Sequence, residues 1–165
     1  MVMRAVILAL AFSCVREISA DTANITGGSS NKPFRLLFVG NSIFFTNGGV
    51  NHVVARLLQE QFPQETIQAT EIAEPNFLLR QHLEKAWIPG TKQFEALSTN
   101  SSAQWDVVIF QEETQQMAMG GEDAAGSLQA LKDLSWLART HGAKVSLTYP
   151  STPQTLSCLA NSKLE

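Results

Sequence analysis

Cysteine is close to absent from this chain: Cys14 and Cys158 are the only two in 165 residues. No Cys-x-x-Cys or His-Glu-x-x-His spacing occurs, so no metal site is expected and no cofactor is implied. Charge is scarce as well. Charged residues make up 16% of the chain, the net charge is −3, and Lys and Arg are scattered; without a basic stripe, nucleic acid is excluded as an expected partner. No apolar run reaches the roughly 18 residues that a membrane span requires, and no internal repeat is present. Histidine is limited to His52, His82 and His141. What the chain does have is apolar residues, 44% of the total, which is enough for one domain to bury a core and too many for a disordered segment.

The two ends differ from the middle. Met1 to Arg4 carries one positive charge, Ala5 to Phe12 is uninterrupted apolar sequence, and Ser19-Ala20 supplies small residues before Asp21. That pattern predicts a secretory signal peptide over 1–20, with a buried first helix as the alternative, and hence a secreted or periplasmic protein. Residues 21–32, rich in Gly, Ser, Asn and Thr, read as a linker. With the signal removed, Cys158 would be a lone thiol. Asn24-Ile25-Thr26 and Asn100-Ser101-Ser102 fit the glycosylation pattern. The expected domain covers 33–150, and 151–165 reads as an irregular or diverged tail.

Within the domain, Arg35 to Val39 is an apolar run that stops at Gly40-Asn41-Ser42. Beyond a short turn-rich stretch, Val50, Val53, Val54, Leu57 and Leu58 recur at the spacing of one helical face. Ser42 therefore falls where a buried strand ends and a helix begins. In an open α/β sheet this is the ligand-binding edge, where helical N–H groups face a developing negative charge and a serine can act as nucleophile. Gly-Asn-Ser is also ordinary turn and cap chemistry, so the triplet needs a second signal. A strand over Thr66–Ile72, a helix over about Phe77–Trp87, a strand over Asp106–Phe110 and a helix marked by Leu128, Leu131, Leu134 and Ala138 follow. Gly142 ends that helix, and a strand over Ala143–Tyr149 comes next. Strand and helix alternate at βαβ intervals, which predicts a parallel sheet with helices on both faces. Met117 and Met119 read as loop or core packing.

The second signal is Trp105-Asp106-Val107-Val108-Ile109-Phe110-Gln111-Glu112-Glu113-Thr114, an apolar run that closes on an amide and two carboxylates. With both blocks in view, the chain resembles the SGNH or GDSL hydrolase superfamily, in the branch that reads Gly-Asn-Ser at the nucleophile and Trp-Asp-x-Val-Val-x-Gln-Glu on a later strand. The resemblance spans roughly Phe34 to Pro150. It implies a three-layer α/β/α sandwich with a mostly parallel, flavodoxin-like sheet, and an esterase acting on a small-molecule or carbohydrate ester. It also implies Ser42 as the nucleophile, with Gly40, Asn41, Gln111 and Asn76 in oxyanion or substrate-binding roles. The block that should carry an oxyanion-hole glycine, Ala73 to His82, contains none. Glu112 and Glu113 could orient Gln111 or a substrate hydroxyl, the simpler reading being solvated carboxylates at a strand end.

The superfamily's Asp-x-x-His block, source of the general base and its orienting acid, has no counterpart after Tyr149. The expectation is a C-terminally incomplete version of the fold: a weak hydrolase, a non-catalytic binding domain, or a truncated pseudoenzyme that does not fold independently. His52 and His141 read as structural, and His82 is the one internal candidate for a base. Serine attack without a base forfeits about 10²–10⁴-fold in rate. Esterase activity of the 165-residue chain should accordingly be low and rise steadily with pH. A pH–rate profile with an inflection near 6 to 7 that disappears in His82→Ala would instead identify His82 as the base.

Overall fold

A computed structural model describes residues 32–99, 101–113 and 121–148. The predicted signal peptide, nearly all of the linker, the Met117–Met119 loop and the 151–165 tail lie outside the described residues. Four strands, β1 (Phe34–Gly40), β2 (Ile67–Ala73), β3 (Val107–Gln111) and β4 (Lys144–Thr148), form one sheet in the order β2-β1-β3-β4. All three pairings are parallel. The helices are α1 (Ser42–Phe45), α2 (Val50–Gln61), α3 (Leu79–Ala86), α4 (Lys92–Leu97) and α5 (Gly121–Thr140), with a 3-10 turn at Thr46–Gly48.

The position of each strand follows from its residues. β1 and β3 are central and covered on both faces, so they can be apolar throughout: Leu36, Leu37, Phe38, Val39, Val107, Val108 and Phe110 are all buried. β2 and β4 flank them in the described sheet; β2 alternates, with Gln68 and Thr70 exposed between half-buried Ile67, Ala69 and Glu71, whereas β4 is half-buried from Val145 to Thr148. Side-chain alternation divides the core into two layers. On one face Leu36, Phe38 and Val107 pack with Phe44 and with Val54 and Leu58 of α2. On the other, Leu37, Val39, Ile72, Val108 and Phe110 meet Leu79 and Ala86 of α3, Leu97 of α4, and Leu131, Leu134 and Leu137 of α5. The result is the three-layer α/β/α sandwich expected from the sequence.

Two apolar residues assigned to buried helix faces point outward instead. Val53 is 46% and Leu128 44% exposed. In α2 the buried stripe runs through Asn51, Val54 and Leu58, so a polar amide occupies the position that Val53 was expected to fill. The end of α5 is closed by a Schellman arrangement, in which Gly142 (φ 81) donates to Arg139 O and Ala143 N–H donates to Ala138 O.

The amino edge of the sheet is held by Asp106. Its Oδ2 accepts from Arg35 N–H at 2.7 Å, its own N–H donates to Arg35 O, and its carbonyl accepts from Lys144 N–H. Neighbouring Trp105 donates from Nε1 to Ala96 O at 2.9 Å. The Trp-Asp half of the second sequence block is thus architectural and stands at the far end of β3 from Gln111.

Candidate active site

The chain passes from β1 to β2 on one side and from β3 to β4 on the other, so the winding reverses between β1 and β3. The crevice outside the carboxyl ends of strands at such a point is where open α/β sheets bind ligands. Ser42 lies there, directly after β1, and Gln111, Glu112 and Glu113 emerge beside it from β3.

The turn that carries Ser42 is bonded into the fold on every side but one. Asn41, fully buried, donates its N–H to Gln111 Oε1 at 3.0 Å. Its side-chain Oδ1 caps α1 by accepting from Ile43 N–H at 3.2 Å, and its Nδ2 donates to Glu113 Oε2 at 2.8 Å. Phe44 N–H donates to Asn41 O. Ser42 N–H has no acceptor among the described residues, and neither does its half-buried hydroxyl have a partner among them. Gly40 leaves no room for a side chain, since a Cβ there would sit 2.7 Å from Gln111 Oε1 and 3.0 Å from a Phe44 ring carbon.

Gln111 is 1% exposed. Besides accepting from Asn41, it donates from Nε2 to Glu112 O, so both ends of its amide are engaged within the fold. Glu112, read from the sequence as a solvated carboxylate, is also 1% exposed. Its oxygens accept from Leu79 N–H at 3.3 and 3.4 Å, and Oε1 accepts from Glu113 N–H at 2.8 Å. A carboxylate at the first turn of α3 is favoured by the orphan N–H groups and the helix dipole, and this repays its removal from water. No feature of the Gln-Glu-Glu triplet signals that burial, because the helix it serves begins 33 residues earlier in the chain.

The loop from β2 to α3 lies against the same strand end, with Glu74 N–H donating to Gly40 O at 3.2 Å. Phe77 N–H donates to Glu74 O, and Asn76 has φ 59, the signature of a type II turn with Pro75 at its second position. Asn tolerates this left-handed backbone better than any residue except Gly, which accounts for a block that has no glycine. The exposed Asn76 amide has no hydrogen bond among the described residues.

His82 is fully buried on α3. Its Nε2 lies 2.8 Å from Gly40 O and its Nδ1 3.1 Å from Gln93 Nε2. A carbonyl only accepts, so Nε2 carries the proton and Nδ1 accepts from the Gln93 amide. Burial pushes this imidazole down to about 4; the Gly40 bond and Glu74 oppose the shift, and Lys85 adds to it. Both ring nitrogens are occupied by partners other than Ser42. His52 is exposed on α2, and His141, at the amino edge, has its Nε2 2.7 Å from Ser98 O. Gln93 was not singled out in the sequence. It lies on α4, whose six residues are too few for a periodic signal, although Thr91 after Gly90 marks the start: its hydroxyl accepts from Phe94 N–H at 3.1 Å.

Among solved structures, the chain is similar to a protein assigned as an SGNH hydrolase from Slackia heliotrinireducens, at 24% identity over 72% of this chain and 58% of that one, with a TM-score of 0.51. It is also similar to an active-site mutant of a family two carbohydrate esterase from Clostridium thermocellum (15% identity, 70% and 43% covered, TM-score 0.46). A third likeness is the lipase Lip_vut3 from a goat rumen metagenome (13% identity, 69% and 62% covered, TM-score 0.45). The fold is that of SGNH hydrolases, and the chain spans 43–62% of the length of these three structures. No family model and no curated protein sequence matches it.

Two outcomes follow from this geometry. Gln111→Ala would strand the buried Asn41 N–H without its acceptor and should destabilise the protein by about 1–3 kcal/mol, measured as a lower urea midpoint; an unchanged midpoint would mean that the amide does not brace the turn. His82 gives a pH signature. An unfolded histidine titrates near ~6.5, whereas folded His82 takes its proton only near 4. Between those values the unfolded chain alone is protonated, so the stability present above pH 6.5 is lost as pH falls, by on the order of 3 kcal/mol in all. In urea titrations from pH 7.5 to 4.5 the wild type should lose more stability than His82→Gln; parallel curves would contradict the buried, neutral ring.

Proposed function

We propose that the chain is a serine ester hydrolase of SGNH type, with Ser42 as nucleophile. The observation that carries this reading is the Ser42 turn itself: the serine stands at the switch point of the sheet, and its N–H is the donor that the surrounding bonds leave unengaged among the described residues. In this mechanism Ser42 Oγ bonds to the ester carbonyl carbon as the bond from that carbon to the alcohol oxygen breaks, and the alcohol departs with the serine's hydroxyl proton. Water then adds to the acyl carbon, releasing the carboxylic acid and returning a proton to Ser42 Oγ. The oxyanion is held by Ser42 N–H together with the side chain of Asn76, whose amide is unengaged among the described residues, while Gln111 braces the turn from behind. Gly40 and Asn41 shape the backbone that presents the serine. The substrate class is an ester of a small acyl group, acetyl on carbohydrate among them, and a signal peptide over 1–20 would direct the enzyme out of the cytoplasm. None of the described helices is long and apolar enough to cross a membrane.

A second reading, a binding domain that retains the crevice without turnover, is favoured by one fact: among the described residues no side chain hydrogen-bonds Ser42 Oγ to activate it. A fluorophosphonate probe separates the two. Labelling of the wild type that is lost in Ser42→Ala, and slowed about 10²-fold or more in Asn76→Ala, is the expected result. A folded wild-type protein that resists the probe yet binds acetylated oligosaccharide would establish the binding domain.

A further inference from the structure

We propose that His82 and Gln93 act as a positioning pair for the Ser42 turn: a neutral imidazole, held in its Nε2–H tautomer by the Gln93 amide, clamps the carbonyl of Gly40 two residues before the serine. The inference rests on the reading of Ser42 as nucleophile and assigns a task to the buried histidine that this reading does not use.

Three observations carry it. Gly40 O accepts two donors at once, His82 Nε2–H at 2.8 Å and Glu74 N–H at 3.2 Å, which occupies both of its lone pairs. The first fixes the end of β1 against α3, and the second ties in the loop that carries Asn76. One carbonyl therefore sets the spacing between the nucleophile turn and the Asn76 turn. The hydrogen-bond polarity is consistent along the chain of partners: with Nε2–H directed at the Gly40 carbonyl, Nδ1 of the neutral ring is an acceptor and takes the Gln93 amide N–H. Finally, the ring sits among groups that restrict it further. Phe77 meets it edge-on with centroids 5.1 Å apart, Lys85 Nζ lies 4.5 Å from the centre of the Phe77 ring, and Gln93 is itself buried. An imidazole bonded at both nitrogens and packed on its edge has little freedom to rotate toward Ser42, and the geometry gives it a positioning role in place of proton transfer.

The test combines spectroscopy with labelling, on wild-type protein, His82→Gln and Gln93→Leu. Imidazole nitrogen NMR should identify His82 as the neutral Nε2–H tautomer from pH 5.5 to 8. In Gln93→Leu the backbone amides of Asn41, Ser42 and Ile43 should shift while those of α5 stay in place. Fluorophosphonate labelling of Ser42 should slow at least tenfold through the maximal rate rather than probe affinity, with His82→Gln, which keeps a donor for Gly40, closer to wild type. An Nδ1–H tautomer, or Gln93→Leu with wild-type amide shifts, overturns the proposal. If the wild type never labels, the nucleophile assignment falls by itself, and the clamp is then decided by tautomer and amide shifts alone. Substituting Gln93 first keeps the experiment informative should a His82 variant fail to fold.

Discussion

Two central strands end side by side in this protein, and the side chain of Gln111 lies between their ends. Its oxygen receives the Asn41 N–H and its nitrogen reaches the carbonyl of Glu112, so one amide closes the open hydrogen-bonding positions where pairing of β1 with β3 stops. The other features of the edge are arranged around it. Gly40 has no side chain because Gln111 occupies that space. With its N–H bonded to Gln111, Asn41 can direct its own amide to capping α1, and Glu113 fixes the far end of that amide. A buried polar network of this sort is stable only when each member is satisfied. Here the satisfied members surround Ser42, whose carbonyl is bonded to Thr46 and whose N–H and hydroxyl have no partners among the described residues.

Burial at this edge is polar to an unusual degree, with Asn41, His82, Gln93, Gln111 and Glu112 all inaccessible to solvent or nearly so. Each is paired with backbone or with another side chain of the set. Glu112 illustrates the balance. A carboxylate moved out of water is costly, and what offsets the cost is a helix start that would otherwise expose unpaired N–H groups. The carboxylate and α3 therefore depend on each other, and α3 in turn presents His82 to Gly40.

Much of the fold was legible in the sequence for a physical reason. β1 and β3 lie between covered faces, so they are apolar at consecutive positions, and such runs stand out. Ser42 was legible from the abrupt end of the first run. The edge strand β2 was displaced by one residue, Ile67–Ala73 instead of Thr66–Ile72, since alternation blurs at strand ends. α4 has too few residues to display a period. Val53 and Leu128 show that apolar character does not ensure burial, because exposed apolar atoms make up more than half of any folded surface. The roles of Gln111, Glu112 and His82 were hidden for a different reason. Whether an amide or carboxylate faces solvent or backbone depends on partners 33 to 70 residues away, and no local pattern encodes such a contact.

Those separations also bear on how the protein folds. Asn41 meets Gln111 across 70 residues and Gly40 meets His82 across 42, so contact order around the candidate site is high, and parallel pairing of this kind forms slowly because loop closure precedes any gain from the contact. During synthesis β1 is exposed well before β3 exists to cover it. The turn before Ser42 is braced by Gln111 and Glu113, so its bonding is complete only once the later strand has docked: a partly assembled chain would carry the sequence motif without the geometry around it.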